Sequence, residues 1–181
     1  MAAIAEVRRA APNLGLLTIP LHFMESRSNV EGLRDAANFA AENRYNTLQV
    51  AMFPTANPDG TVRDFAAETL QARWVIDNPK TALETVRNIS YSTGVGIDSV
   101  CFCSNPLGNL ADREHLAAVI LAGAAIGARS VVTFIGNSNS LAREAGVPFQ
   151  GEAGRRFFLD KVSEVFNPLV NLAEERGIEL Q

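Results

Sequence analysis

The sequence predicts an α/β fold of about four strand–helix units, followed by the start of a fifth strand. Short apolar runs alternate with segments whose apolar residues recur at helical spacing, and turn-forming residues separate them. This alternation is typical of a parallel sheet covered by helices. The chain has 181 residues, of which 47% are hydrophobic and 20% charged. That composition excludes a disordered or collagen-like chain and suits one domain.

Apolar runs of four to eight residues bounded by turn signals place the strands. The run at 130–136 is almost continuously apolar, as expected for a strand that is covered on both faces. Strands are expected at residues 14–21, 47–53, 97–103, 130–136 and 178–181.

Capping residues and apolar stripes place the helices between these strands. Helices are expected to start at Asn29, at Asn78–Pro79, at Asp112 and near Arg156, with Gly94, Gly127 and Gly177 ending the last three. Residues 55–61, rich in Pro, Asn, Asp and Gly, are expected to be a loop of the kind that usually carries function or disorder. Residues 137–154 are a polar, Gly-rich stretch that leads to the last helix.

The charge balance limits the partners. Sixteen basic and twenty acidic residues leave a net charge of −4, so nucleic acid and anionic membranes are not expected partners. No apolar run approaches the roughly 18 residues needed to span a bilayer, and residues 1–17 do not resemble a signal peptide. Cys101 and Cys103 lie about 6.6 Å apart at the strand rise, the outer limit for a disulfide, so reduced thiols and a cytoplasmic location are expected.

Residues 103–107, Cys-Ser-Asn-Pro-Leu, resemble the strand-end "CHGNPL" motif of the xylose isomerase-like family of sugar phosphate isomerases and epimerases. Other segments resemble the same family in order and spacing, so that the resemblance covers nearly the whole chain. They are residues 14–21 ("LGLxTxPL"), 47–54 ("xxVELxxxP"), 131–136 ("VVTFSG"), and 166–169 with 173–178 ("WNPLLDYAEEHGV").

The resemblance implies an eight-stranded (β/α) barrel, of which residues 1–181 would be the N-terminal portion, because such barrels typically need about 250 residues. It also implies a sugar or sugar-phosphate substrate and a divalent metal, Mn, Mg or Co, held by carboxylates and a His from strands five to eight. The first of these ligands would fall about two positions beyond Gln181. The isolated chain is therefore expected to bind no metal and to be inactive, with the catalytic residues unknown.

The resemblance also suggests substrate-binding candidates, each with a simpler structural explanation. Cys103 stands where the motif has a His, and is either a substrate contact or a buried small side chain. Asn105 follows a strand end and either binds sugar hydroxyls or forms a turn before Pro106. Gln49 replaces a Glu, and can bind a hydroxyl but not act as a base. The structural alternative is a polar residue in the barrel interior.

Two further candidates carry charge or titrate near neutrality. His22 follows the first strand and lies either at the mouth of a pocket or in solvent. Arg155 binds a substrate phosphate or carboxylate, or else is a helix-surface charge. His115 is expected at the surface, and Asp59 and Asp64 lack partners at metal-ligand spacing.

The sequence can also be compared with two functions other than an isomerase or epimerase. A DNA-repair nuclease resembling endonuclease IV needs several His ligands, and only His22 and His115 exist in an acidic chain. A non-catalytic half-barrel would instead pair with itself or another chain, because open sheet edges and an exposed apolar inner face invite association. The sequence favours the isomerase or epimerase for the complete protein and keeps the self-associating half-barrel as the alternative.

Overall fold

The computed structural model describes residues 16–18, 29–52, 71–148 and 150–181, the first of these ranges by its backbone alone. These residues form a parallel sheet with strand order β1-β2-β3-β4-β5. The strands are β1 (Leu16–Thr18), β2 (Thr47–Ala51), β3 (Gly96–Phe102), β4 (Ser130–Thr133) and β5 (Glu179–Leu180). Each strand pairs in parallel with the next one along the chain, which confirms the predicted α/β class.

Helices connect the described strands. They are α1 (Asn29–Glu42), α2 (Ala72–Asp77), α3 (Pro79–Thr93), α4 (Leu110–Ala125), α5 (Asn139–Glu144) and α6 (Gly151–Arg176). In the described ranges, no helix has both the length and the apolar character that a membrane crossing requires.

Several helix boundaries differ from those expected. The helix predicted to start at Asp112 starts two residues earlier, because the Asn109 side chain accepts hydrogen bonds from the amides of Ala111 and Asp112 and caps it. The helix predicted from Arg156 starts at Gly151, whose φ of +81° is one that glycine adopts readily. The short helices α2 and α5 were not predicted; six residues are too few to show a helical period.

One face of the sheet packs on the helices through Val100 and Val131. A Cβ added to Gly123 of α4 would lie 2.9 Å from Val100 Cγ2 and 3.5 Å from Val131 Cγ2, so the helix approaches the sheet closely at that glycine. Strand neighbours alternate between faces, which puts Gln49, Ser99 and Ser130 on the opposite face. Ala51, Cys101 and Val132, two residues further along the same strands, lie on that inner face too, so it is polar toward the amino ends of the strands and apolar toward their carboxyl ends.

Candidate functional site

The loops that follow β3 and β4 meet at the carboxyl end of the sheet. Residues 103–109 connect β3 to α4, and residues 134–138 connect β4 to α5. The Leu107 amide donates to the Ile135 carbonyl across the two loops at 3.3 Å. In parallel α/β folds, active sites are built at this end of the strands.

Asn105 joins the two loops through its side-chain oxygen. Oδ1 accepts a hydrogen bond from the Asn137 amide at 2.7 Å and another from the Gly108 amide at 3.2 Å. The first of these bonds bridges 32 positions of the sequence. The side chain therefore fixes the distance between the β3 loop and the β4 loop.

Two glycines leave the space that the Asn105 side chain occupies. A Cβ on Gly136 would lie 2.0 Å from Asn105 Oδ1, and Gly136 also has a φ of +87°. A Cβ on Gly108 would lie 2.5 Å from Asn105 Nδ2. Any side chain at these positions would displace the amide, so the arrangement requires glycine at both.

Asp112 holds the same loop against the first turn of α4. Its Oδ2 accepts hydrogen bonds from Ser104 Oγ at 2.5 Å and from the Asn105 amide at 3.1 Å. A carboxylate in the first turn is also favoured by the helix dipole. Asp112 therefore holds the backbone of the β3 loop at Ser104 and Asn105, and Asn137 holds the side chain of Asn105.

This arrangement bears on the sugar contact expected of Asn105. Its Oδ1 is already engaged by two backbone amides, so only Nδ2 is left to meet a ligand. Among the residues that the structure describes, Nδ2 donates no hydrogen bond. A substrate contact by Asn105 stays a prediction, now restricted to donation by Nδ2.

Cys101 and Cys103 are both free thiols. Cys101 is buried, and its burial, together with the neighbouring Cys103 thiol, raises its pKa to about 12. Cys103 is half-buried just beyond the end of β3. At this end of the sheet it is the more accessible thiol, while Cys101 stays protonated and inert.

His115 is not at the surface, so that expectation was wrong. Its Nε2 lies 2.6 Å from the Met52 carbonyl oxygen, and its ring packs edge-on against Phe102 with centroids 4.6 Å apart. Desolvation lowers the pKa of His115, against smaller opposing effects of the Met52 bond and of Asp112. Its spacing of four from the buried Val119 was the signal that placed it on the packed face.

The remaining candidates are not brought to one point. Gln49 is half-buried on the inner face of β2, two residues before the strand ends. Arg155 is the fifth residue of α6, and its Nε is 3.3 Å from Glu152 Oε2. It lines a cavity of about 400 Å³ that also includes Asn137 of the β4 loop. His22, Asp59 and Asp64 lie outside the described residues.

The described residues were compared with the ligands that a divalent metal ion needs. Within those ranges, no three His, Cys, Asp or Glu side chains are grouped so that they could hold a metal ion. The described residues therefore do not fit the divalent metal that the resemblance implies.

Comparison with known proteins gives likenesses in structure alone. No family model and no curated protein sequence matches the chain. Among solved structures, D-psicose 3-epimerase crystallised in the presence of D-fructose aligns over 92% of this chain and 50% of its own, with 9% identity and a TM-score of 0.51. A sugar phosphate isomerase/epimerase from Parabacteroides distasonis aligns over 93% and 49%, with 16% identity and a TM-score of 0.48.

The chain thus spans about half the length of the structures that it matches. Five parallel strands in sequential order, with helices between them, are what half of a (β/α) barrel contains. The chain therefore has the fold of a partial (β/α) barrel, similar to half of the D-psicose 3-epimerase structure.

Proposed function

We propose that residues 1–181 are the N-terminal portion of one xylose isomerase-like barrel domain, and that the complete barrel is a sugar or sugar-phosphate isomerase or epimerase. The observation that supports this most is the likeness to D-psicose 3-epimerase over nearly the whole chain. The argument from fold to function is an analogy, because one fold can carry several chemistries. The strand-end motif at residues 103–107 adds sequence support for the same family.

In this proposal, the chain supplies one wall of the substrate pocket. Asn105, Gly108 and Gly136 hold the β3 and β4 loops together at the carboxyl end of the sheet. Rigid loops at that end orient a polyol by fixing the donors and acceptors around it. Asn105 Nδ2 and Cys103 at the strand end, with Gln49 on the inner face, are the candidate contacts.

The complete barrel is proposed to use a divalent ion, Mn, Mg or Co, together with carboxylates for proton transfer. Since the described residues do not fit such an ion, no proton transfer is assigned to them. Calorimetric titration of the purified 181-residue chain with each ion is the first test. Binding no tighter than about millimolar is expected. Stoichiometric micromolar binding would show that His22, Asp59 or Cys103 belongs to a metal site, and would overturn the assignment of the ligands to later strands.

A second experiment tests the activity itself. The coding sequence beyond the codon for Gln181 is read for Glu, Asp and His residues, and the longer protein is incubated with D-fructose in D₂O. Proton NMR should show metal-dependent exchange of a carbon-bound hydrogen with the longer protein and none with the 181-residue chain. Exchange by the shorter chain alone would contradict the proposal.

The alternative is a non-catalytic half-barrel that associates with a second copy of itself. In the described sheet, β1 and β5 each pair on one side only, and unpaired strand edges favour pairing with another chain. Phe134 and Ile135, which follow β4, are 61% and 47% exposed and add apolar surface at the carboxyl end of the sheet. This alternative expects a stable homodimer that catalyses no exchange even when the complete gene product is assayed.

A further inference from the structure

The two cysteines of the sequence lie two positions apart, at the carboxyl end of β3. Cys101 is on the inner face of the sheet, beside Ala51 of β2 and Val132 of β4. Strand neighbours alternate between faces, so Cys103, which follows the last residue of β3, is expected on the same face. The two thiols are therefore brought to one side of the sheet.

The two thiols also interact. Burial comes first among the causes that raise the pKa of Cys101 to about 12, and the Cys103 thiol adds to it as a polar neighbour and as a hydrogen-bond partner. Cys101 is 3% exposed, whereas Cys103 is half-buried. One sulfur thus lies beneath the surface and the other is open to solvent, which gives a small ligand a way in through Cys103.

The backbone spacing favours an ion between the two sulfurs over a disulfide. Two residues of a strand advance about 6.6 Å, close to the upper limit of about 6.8 Å for the Cα atoms of a disulfide, whose sulfurs are about 2 Å apart. A metal–thiolate bond is about 2.3 Å long in zinc sites, so sulfurs on opposite sides of one ion are up to about 4.6 Å apart. The longer bridge closes without drawing Cys103 toward Cys101.

The ligand set selects the kind of ion. Within the described ranges, no third His, Cys, Asp or Glu side chain joins the two thiols in a group that could hold a metal. Zinc almost always takes four ligands in structural sites, and Mg²⁺ and Mn²⁺ prefer oxygen. Cu(I) is a soft ion that thiolates select, and two sulfurs can hold it in a linear arrangement.

We propose that Cys101 and Cys103 form a two-thiolate site for one Cu(I) ion at the carboxyl end of β3. On binding, both S–H bonds break, two Cu–S bonds form, and two protons pass to the solvent. The copper stays Cu(I), so no oxidant or reductant takes part. This site goes beyond the proposed function and requires neither a sugar nor the metal ion of the complete barrel.

The site should bind its ion more tightly as the pH rises. A coordinating thiol gives up its proton to the bound ion, so the high pKa of Cys101 is overcome by the metal rather than by the solvent. The raised pKa has a cost, because the ion competes with a proton at each sulfur. Affinity is therefore expected to increase between pH 6.5 and 8.

The test is an anaerobic titration of the reduced 181-residue chain with Cu(I), in competition with a chromophoric Cu(I) chelator. One ion should bind per chain, and Zn²⁺ at least about a hundredfold more weakly. Cys101→Ser and Cys103→Ser should each weaken Cu(I) binding at least about a hundredfold, since one thiolate remains. Ser99→Ala changes another inner-face residue of β3 and keeps both thiols, so it is the matched control and should bind as the unchanged chain does.

Two measurements need no variant and hold even if Cys101→Ser folds poorly. X-ray absorption of the Cu(I)-loaded chain should show two sulfur neighbours, and one equivalent of Cu(I) should protect Cys103 from iodoacetamide. Unchanged binding in a folded Cys101→Ser variant would leave a surface thiol alone and overturn the inference. So would one ion shared by two chains in light scattering, or Zn²⁺ bound as tightly as Cu(I). The exchange assay in D₂O tests the isomerase proposal separately.

Discussion

At the residue scale, the Asn105 side chain holds together the two loops of the candidate site. Its Oδ1 accepts hydrogen bonds from two backbone amides on different loops. Gly108 and Gly136 leave the space that this side chain occupies. A buried acceptor that loses its partners costs about 1–3 kcal/mol. The Asn-Pro-Leu motif is therefore explained by loop geometry, and a substrate contact by Asn105 stays a prediction.

Gly136→Ala tests this packing. The added methyl group would meet Asn105 Oδ1 and would also force alanine into a positive φ. Gly146→Ala is the matched control, because Gly146 has a φ of +65° but nothing within 4 Å of its Cβ position. Chemical denaturation should show that Gly136→Ala lowers the free energy of unfolding by at least about 1 kcal/mol more than Gly146→Ala does. Equal losses would mean that the glycine serves backbone conformation alone.

His115 should make stability depend on pH. Burial lowers its pKa in the folded chain, so below its ordinary value of 6.5 the unfolded chain binds the proton more readily. Stability is therefore complete above about pH 6.5 and declines as the pH falls from there toward the lower folded value. Urea denaturation between pH 7.5 and 5.5 should show this decline, and His115→Gln should reduce it. An unchanged decline in the variant would assign it to another group.

The two cysteines should differ in reactivity. Cys101 is 3% exposed with its pKa raised to about 12, whereas Cys103 is half-buried at the strand end. Only thiolates react quickly with alkylating reagents. Iodoacetamide at pH 8 should modify Cys103 first in the native chain, and both residues at similar rates in urea, as read by peptide mass spectrometry. Native labelling of Cys101 before Cys103 would contradict the described burial.

Among the elements, α4 connects the site to the core. Asn109 caps its amino terminus, Asp112 holds the β3 loop, and Gly123 lets its centre approach the sheet. Any shift of α4 along its axis would move the loop and the helix face together. The geometry of the site thus depends on how this helix is anchored.

Asn109→Ala should lower the free energy of unfolding by about 1 kcal/mol, because the first amides of α4 lose their acceptor. Asn109→Asp keeps an oxygen acceptor and should lose much less. Thermal unfolding of the three proteins would measure the difference. If alanine and aspartate were equally destabilising, the side chain would be needed for something other than capping.

The strands could be predicted because each is a short apolar run next to a turn signal, as at residues 97–103. The apolar run at residues 130–136 misled at its end, because β4 stops at Thr133 and Phe134 and Ile135 are exposed loop residues. The boundaries of α4 and α6 were harder, since Asn109 and Gly151 look like loop residues until their backbone is known. The site was predictable in its location at the strand ends but not in its contacts. Asn105 and Asn137 are brought together by the pairing of β3 with β4, and no local pattern reveals it. For the same reason the contact of His115 with Met52, 63 positions away, was missed.

At the scale of the whole molecule, the described sheet is open. A closed barrel has no edges, whereas β1 and β5 each have one unpaired side here. Attraction between copies is expected at these edges and at the exposed side chains of Phe134 and Ile135.

The purified chain should therefore self-associate. Light scattering coupled to size exclusion should give a mass that rises with concentration above the 19.5 kDa of one chain. Phe134→Ser, which changes an exposed apolar residue, should reduce this association without lowering the melting temperature much. A monodisperse monomer with a sharp melting transition would count against a partial barrel with open edges.

The two halves of helix α6 make different contacts. Its 26 residues extend about 39 Å, and the fully buried ones, Val165, Phe166, Leu169 and Ala173, all belong to the carboxyl-terminal half. The helix residues that line the cavity beside Asn137, namely Gly151, Gly154, Arg155 and Phe158, belong to the amino-terminal half. Substitutions in the first two turns should therefore change the cavity while the carboxyl-terminal half keeps the sheet covered.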